Sequence, residues 1–259
     1  MKKKLISMAL VAAMAVTMFA GCKKAEGDTP GGAEAESDTL IVGTEAGFAP
    51  YEYMEGDKVV GIDMDIAQAI ADSMGKKLVI KNMDFDGALL AVQKGTVDFV
   101  AAGVSIDAER DEVMDFSVEY VDSTEVIVVN AANPAVATVD NEGLADKIIG
   151  VQQGNIADFY VEENVEYKEV KRYTKFAQAA EDLKNGKIDC IIMDQYPAEE
   201  LAASNPELAI MDGTLFQDKY AIAVKEGNKK LLDSINAVIE DLKTSGKMDQ
   251  IIAAHTGSK

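Results

Sequence analysis

Tryptophan is absent from the chain, histidine occurs once (His255), cysteine twice (Cys22 and Cys190) and arginine twice (Arg110 and Arg172). Without tryptophan, no ligand can be followed through intrinsic indole fluorescence. The lone histidine lies near the C-terminal end, outside every motif, which argues against histidine-based catalysis. Positive charge is scarce too. The 25 Lys and Arg against 45 Asp and Glu leave a formal net charge of −20. That balance argues against nucleic-acid binding and against attraction to anionic membranes. It says little about a small-molecule ligand, because a site sets its own local field. No long membrane-spanning run is present. The apolar stretch Leu5 to Ala20 is too short and too alanine-rich for a comfortable span.

What is there at the N-terminus reads as a processing signal. Lys2, Lys3 and Lys4 form a basic region ahead of Leu5–Ala20, so residues 1–21 are expected to be a signal peptide. Phe19-Ala20-Gly21-Cys22 looks like a lipobox, with Cys22 as the lipidated first residue of the mature chain. Phe19 stands where leucine is usual, and an ordinary signal peptide with an incidental cysteine is the alternative. Cleavage there would remove three lysines and no acid, taking the charge from −20 to −23. Residues 22–37 lack apolar periodicity and read as a flexible tether. With Cys22 lipidated, Cys190 has no partner for an intramolecular disulfide. It lies in Lys187-Ile188-Asp189-Cys190-Ile191-Ile192-Met193, a buried-strand pattern.

The remaining residues suffice for two lobes, each with its own core. Thr39–Thr44 reads as a strand, followed by the loop Glu45-Ala46-Gly47-Phe48-Ala49-Pro50-Tyr51. Strand ends are where α/β sheets place ligands. Glu45 and Phe48 are candidates there, while Tyr51 reads as a loop-packing residue. Ile62, Ile66, Ala69 and Ile70 fall at helical spacing, with Asp63 or Asp65 expected as caps. Lys77–Lys81 reads as a strand and Gly87–Lys94 as a helix.

The segment from Gly95 to Gly103 aligns with that from Gly186 to Asp194, both of the form Gly-x-β-branched-Asp followed by apolar residues. Leu40-Ile41-Val42-Gly43 likewise resembles Ile148-Ile149-Gly150-Val151, so the chain reads as two similar α/β halves. Glu125–Val129 and Tyr220–Val224 read as two further strands, and Leu231–Leu242 and Lys247–Ala254 as closing helices.

Ala101 to Arg110 is the most informative stretch. Asp107 is a good N-cap, which puts Arg110 in a first helical turn where acids are favoured. An arginine beside free backbone N–H groups and the Ser105 hydroxyl can clamp a carboxylate or phosphate. A surface arginine paired with a neighbouring acid is the alternative. Asp194 directly follows three apolar strand residues and is costly to bury unpaired; it could instead cap the helix that Pro197 opens.

Gly61-Ile62-Asp63-Met64-Asp65-Ile66 and the helix after it resemble the signature of family 3 extracellular solute-binding proteins, the polar amino-acid receptors of ABC importers. The Thr44–Glu52 loop, Asn82–Gly87 and Ser105–Arg110 fit the same family in order. The resemblance implies a two-lobe periplasmic-binding-protein fold of type II, α/β throughout. Two crossover strands would form a hinge, with the ligand in the interlobe cleft. Residues 38–123 and 219–259 would make lobe 1 and residues 124–218 lobe 2.

It further implies that Arg110, Ser105 and backbone N–H groups near Asn155 and Ile156 bind an α-carboxylate. Asp194, the Gly103 carbonyl and Ser105 would bind an α-ammonium. Phe48 and Phe85 would sandwich the ligand side chain, and Glu45 and Gln152 would set specificity. Where the family carries Gly-Thr-Thr or Gly-Thr-Ser, this chain has Gly154-Asn155-Ile156, so one hydroxyl donor is missing. An acid at Glu45 favours arginine, lysine, ornithine or glutamine over acidic ligands. The expected partners are a free L-amino acid, an ABC permease and, through the lipid, a membrane surface outside the cytoplasm; the protein is expected to be a monomer. No catalytic residue, metal or cofactor is expected. The alternatives are an enzyme like cyclohexadienyl or arogenate dehydratases, which resemble these receptors, with Glu45 as general acid, or the sensory domain of a receptor.

Overall fold

A computed structural model describes residues 37–257. The expected signal peptide, Cys22 and most of the expected tether lie outside the described residues. The chain opens with β1 (Thr39–Thr44), then β2 (Gly47–Phe48), β3 (Glu52–Glu55), β4 (Lys58–Val60), α1 (Ile62–Ser73), β5 (Lys77–Asn82), α2 (Phe85–Gln93), β6 (Phe99–Val100), α3 (Ala108–Asp111) and β7 (Met114–Phe116). It continues through β8 (Val121–Asn130), α4 (Asn141–Leu144), β9 (Ile148–Gln152), α5 (Ile156–Asn164), β10 (Glu169–Tyr173), α6 (Phe176–Lys184), β11 (Cys190–Asp194), α7 (Gln195–Ser204), β12 (Leu208–Ile210) and β13 (Phe216–Tyr220). Last come β14 (Ala223–Lys225), α8 (Lys229–Thr244) and α9 (Lys247–Thr256).

Two open sheets follow from this order. One runs β5-β1-β6-β14-β7; the other runs β10-β9-β11-β8-β12, with β13 also paired to β8. The internal repeat is structural. β1 lies parallel between β5 and β6, and β9 lies parallel between β10 and β11. The aspartate of each repeated segment fixes the register. Asp98 accepts from the Ile41 N–H at 2.6 Å and Asp189 from the Ile148 N–H at 2.7 Å. Ile41 is therefore the counterpart of Ile148, one residue on from the alignment that set Leu40 against Ile148. In this register Glu45 and Gln152 occupy equivalent positions at the ends of β1 and β9. Phe85 and Phe176 open equivalent helices, α2 and α6.

Apolar periodicity explains the helices. Ile62, Ile66 and Ile70 turn one face of α1 into the core, and Leu231, Ile235, Ile239 and Leu242 do so for α8. Each such burial contributes about 1.5–3 kcal/mol. Cys190 is fully buried on β11, and burial pushes its thiol far above the ordinary range, as a core cysteine requires. No helix among the described residues is long and apolar enough to cross a membrane.

Three further expectations need correction. The Tyr220–Val224 run is not one strand: Tyr220 ends β13 in the second sheet and Ala223 begins β14 in the first. Between them the Ser117 N–H donates to the Ile222 carbonyl and the Tyr120 N–H to the Tyr220 carbonyl, so both passages between sheets lie side by side. Helix α2 starts at Phe85, earlier than the Gly87 start that the pattern suggested. Asp63 does not cap α1. The N-cap is Gly61, without any side-chain bond, while Asp63 is fully buried and Asp65 meets His255 at 2.9 Å. Only glycine fits at position 61. Its φ is 134°, and a Cβ there would stand 2.1 Å from the Tyr51 carbonyl oxygen. Gly61→Ala is expected to lower unfolding free energy by roughly 2–4 kcal/mol, read by denaturant titration.

Candidate functional site

The carboxyl ends of β1, β6, β9 and β11 converge between the sheets. Phe48, Phe85, Gly103, Ser105, Gln152, Asn155, Ile156 and Asp194 line one narrow cavity there, of about 10 Å³, room for about one water molecule. Arg110 and Glu45 adjoin it through Ser105 and Gln152.

Asp107 builds the Arg110 end. Its side chain accepts from the Glu109 N–H at 2.8 Å and the Arg110 N–H at 3.4 Å, fixing the single turn α3. Arg110 is 4 % exposed, so the surface-arginine alternative fails. Arg110 Nη1 donates to the Ser105 carbonyl at 2.6 Å, and Nη2 crosses to the Gly154 carbonyl at 2.7 Å. Nε is buried with no acceptor. The rings of Phe85 and Phe159 lie 5.6 and 5.3 Å from the guanidinium carbon. Burial lowers its pKa to about 10, against the pull of Asp107 and Asp218, so it stays cationic at neutral pH. The Ser105 hydroxyl is engaged elsewhere: it donates to Asp218. Asn155 accepts from the Asp158 N–H at 3.0 Å and thereby caps α5, with Ile156 as its first residue.

Asp194 is buried and accepts from Ser123 Oγ at 2.6 Å and from the Tyr220 hydroxyl. It occupies the N-cap position of α7, but its side chain makes no capping bond there. Directly across the β11–β8 ladder stands Glu125, fully buried, with neither carboxylate oxygen hydrogen-bonded by a donor. Burial first, then the charge of Asp194, pushes the Glu125 carboxyl far up; burial raises Asp194 as well, opposed by the hydroxyls of Ser123 and Tyr220. Side by side, the two carboxyls resist joint ionisation, and Glu125, with no donor to either oxygen, holds its proton the more strongly.

A second buried acid supports Gly103. Asp63 accepts from the Gly103 N–H at 2.9 Å and the Tyr120 hydroxyl at 2.7 Å, and burial lifts its carboxyl to about 6. Gly103 itself has φ 56°, and a Cβ there would lie 2.8 Å from the Phe48 ring. Phe48 stacks on Phe176 at 6.0 Å and on the buried Tyr51 at 5.7 Å, so Phe48 and Phe85 face the cavity from different stacks.

Glu45, beside Gln152, is buried. Gln152 Nε2 donates to its Oε2 at 3.3 Å and Lys175 Nζ lies 3.4 Å from its Oε1. Burial raises the Glu45 carboxyl despite the Lys175 charge.

Lys175, Glu125, Ser123, Asp218 and Tyr220 escaped the sequence reading. Glu125 carries a signal, an acid opening the apolar run to Val129, but only the strand register sets it against Asp194. Lys175 has none beyond its place just before Phe176.

Residues 40–258 match the family model for bacterial extracellular solute-binding proteins, family 3. The arginine-binding extracellular protein ArtP of Bacillus subtilis is 29% identical over 97% of this chain and 96% of its own length. The amino-acid ABC transporter substrate-binding protein AbpA of Streptococcus pneumoniae, solved bound to L-arginine, is 32% identical with a TM-score of 0.80, covering 85% of this chain and 95% of that one. An ancestral arginine-binding protein bound to glutamine is 36% identical with a TM-score of 0.79, over 85% of this chain and 99% of its own. The two-lobe binding-protein fold is thus the one expected. The family and these relatives are substrate-binding proteins and not enzymes, and none of these relatives is a dehydratase. The chain belongs to the bacterial extracellular solute-binding proteins of family 3.

Proposed function

We propose that the chain is an extracytoplasmic receptor, lipid-anchored at Cys22, that closes its lobes on a free L-amino acid and delivers it to an ABC permease. Basic or amide side chains are preferred. The observation that carries this reading is a buried guanidinium with an unpaired Nε at one edge of the cavity and a buried carboxylate, Asp194, also lining it. Cation and anion on either side of a narrow space suit the α-carboxylate and α-ammonium that every amino acid shares. Phe48 and Phe85 offer faces for the aliphatic stem or a cationic head. Glu45 disfavours an acidic side chain by charge, and the neutral Gln152 amide can bond a polar head. The names of the relatives, which bind arginine, cystine and glutamine, support the same class.

The test is calorimetric titration of the ligand-free domain from residue 37 onward with the twenty amino acids and ornithine. Binding of an arginine, lysine, ornithine or glutamine with a melting shift is expected. Ligand at 100 times its dissociation constant stabilises by about 2.7 kcal/mol. Silence towards every amino acid would overturn the reading.

A further inference from the structure

From the geometry around Glu45 we propose that Lys175 is a specificity-determining residue, a built-in counter-ion that turns the side-chain end of the site from cation-selecting towards amide-accepting. This rests on the amino-acid reading above and deepens it. An isolated buried carboxylate attracts a cation strongly, and Glu45 would do so if it stood alone. It is not isolated. Lys175 reaches it from the other half of the molecule, at the start of α6, with Nζ 3.4 Å from Oε1. The pair is asymmetric: the Glu45 side chain is 2% exposed and that of Lys175 46%. Gln152, which lines the cavity, occupies the other oxygen at 3.3 Å. Position 47 is glycine, and a Cβ there would stand 2.9 Å from Glu45 Oε1, so the absence of a side chain leaves room for the carboxylate beside Lys175.

The chemistry follows from charge counting. Ionised Glu45 and Lys175 cancel as a pair, with the weaker influence of Asp84 beside them. A guanidinium or ammonium arriving from the ligand would place two cations against one carboxylate, and must either displace Lys175 into solvent or tolerate it. A carboxamide brings no charge and can donate to Glu45 or accept from the Gln152 amide. Lys175 therefore handicaps arginine, lysine and ornithine relative to glutamine. Because its side chain is half in solvent, the handicap is finite, and displacement of Lys175 leaves arginine binding possible.

The experiment compares L-arginine and L-glutamine by calorimetry on the wild-type domain and on Lys175→Met, Lys175→Arg and Glu45→Gln/Lys175→Met. The arginine-to-glutamine affinity ratio should rise about tenfold in Lys175→Met, stay near the wild-type value in Lys175→Arg, and fail to rise in the double variant, where no acid remains to be freed. Equal loss of both ligands, or an unchanged ratio, would assign Lys175 to lobe contact alone and overturn the proposal while leaving amino-acid binding intact. If the wild type binds no amino acid, both readings fall together.

Discussion

Arg110→Ala is expected to weaken amino-acid affinity at least about 30-fold, a loss of about 2 kcal/mol or more. The substitution does two things at once. It removes the only buried guanidinium beside the cavity, so a ligand carboxylate would enter without its charge partner. It also leaves the Ser105 and Gly154 carbonyls, each now bonded at 2.6–2.7 Å, without donors. The second effect alone would look like a structural tie between the halves. The two are separated by Arg110→Lys and by melting. Lysine restores a positive charge but, as a single compact ammonium, cannot bond both carbonyls and present a further planar N–H to a carboxylate. If Arg110 binds the ligand, Arg110→Lys should lose about tenfold or more in affinity with a modest change in melting temperature. If Arg110 only joins the halves, both variants should melt lower while retaining affinity within about threefold. Retained affinity in Arg110→Ala would remove Arg110 from the binding role.

Local patterns carried much of this architecture, and their limits are physical. Strand β1, the closing helices and the Asp107 cap are each specified by neighbours within a few residues, so periodicity and capping chemistry reveal them. The repeat was visible because each half needs an aspartate at the same place, where it bonds the N–H at the head of the neighbouring strand. Its register was off by one because Leu40 and Ile41 are interchangeable to an apolar pattern. The break at Ala221–Ile222 was hidden for a similar reason: all of Tyr220–Val224 is apolar, and nothing local announces that the chain leaves one sheet for the other. At the site, the residues at strand ends and helix starts were legible. Their supporting layer was not, because it is made by long-range pairing. Asp63 beneath Gly103, Glu125 beside Asp194 and Lys175 against Glu45 join segments 40, 69 and 130 residues apart.

Glu125→Gln is expected to stabilise the domain, by an amount that grows with pH. Glu125 is fully buried and lacks a donor for either oxygen, and its carboxyl is pushed well above the ordinary range by burial and by Asp194. The sign follows from proton counting. In the unfolded chain Glu125 ionises near pH 4.3, whereas the folded state retains the proton to much higher pH. Folded protein then binds more protons than unfolded protein above pH 4.3, so stability falls as pH rises until the folded carboxyl itself ionises. The slope for one group is at most about 1.4 kcal/mol per pH unit. Glutamine has nearly the same shape and offers an N–H to Asp194 where protonated Glu125 offers an O–H, yet it has no proton to retain. Wild type and Glu125→Gln should therefore unfold at similar urea concentrations at pH 4, and the variant should need more urea than the wild type at pH 8. Glu125→Ala is the contrast. It loses packed volume and the donor to Asp194, and should be destabilised at pH 4, where the proton effect vanishes. A difference between wild type and Glu125→Gln that stays flat from pH 4 to pH 8 would mean that Glu125 is ionised in the fold, and the shared proton beside Asp194 would have to be abandoned.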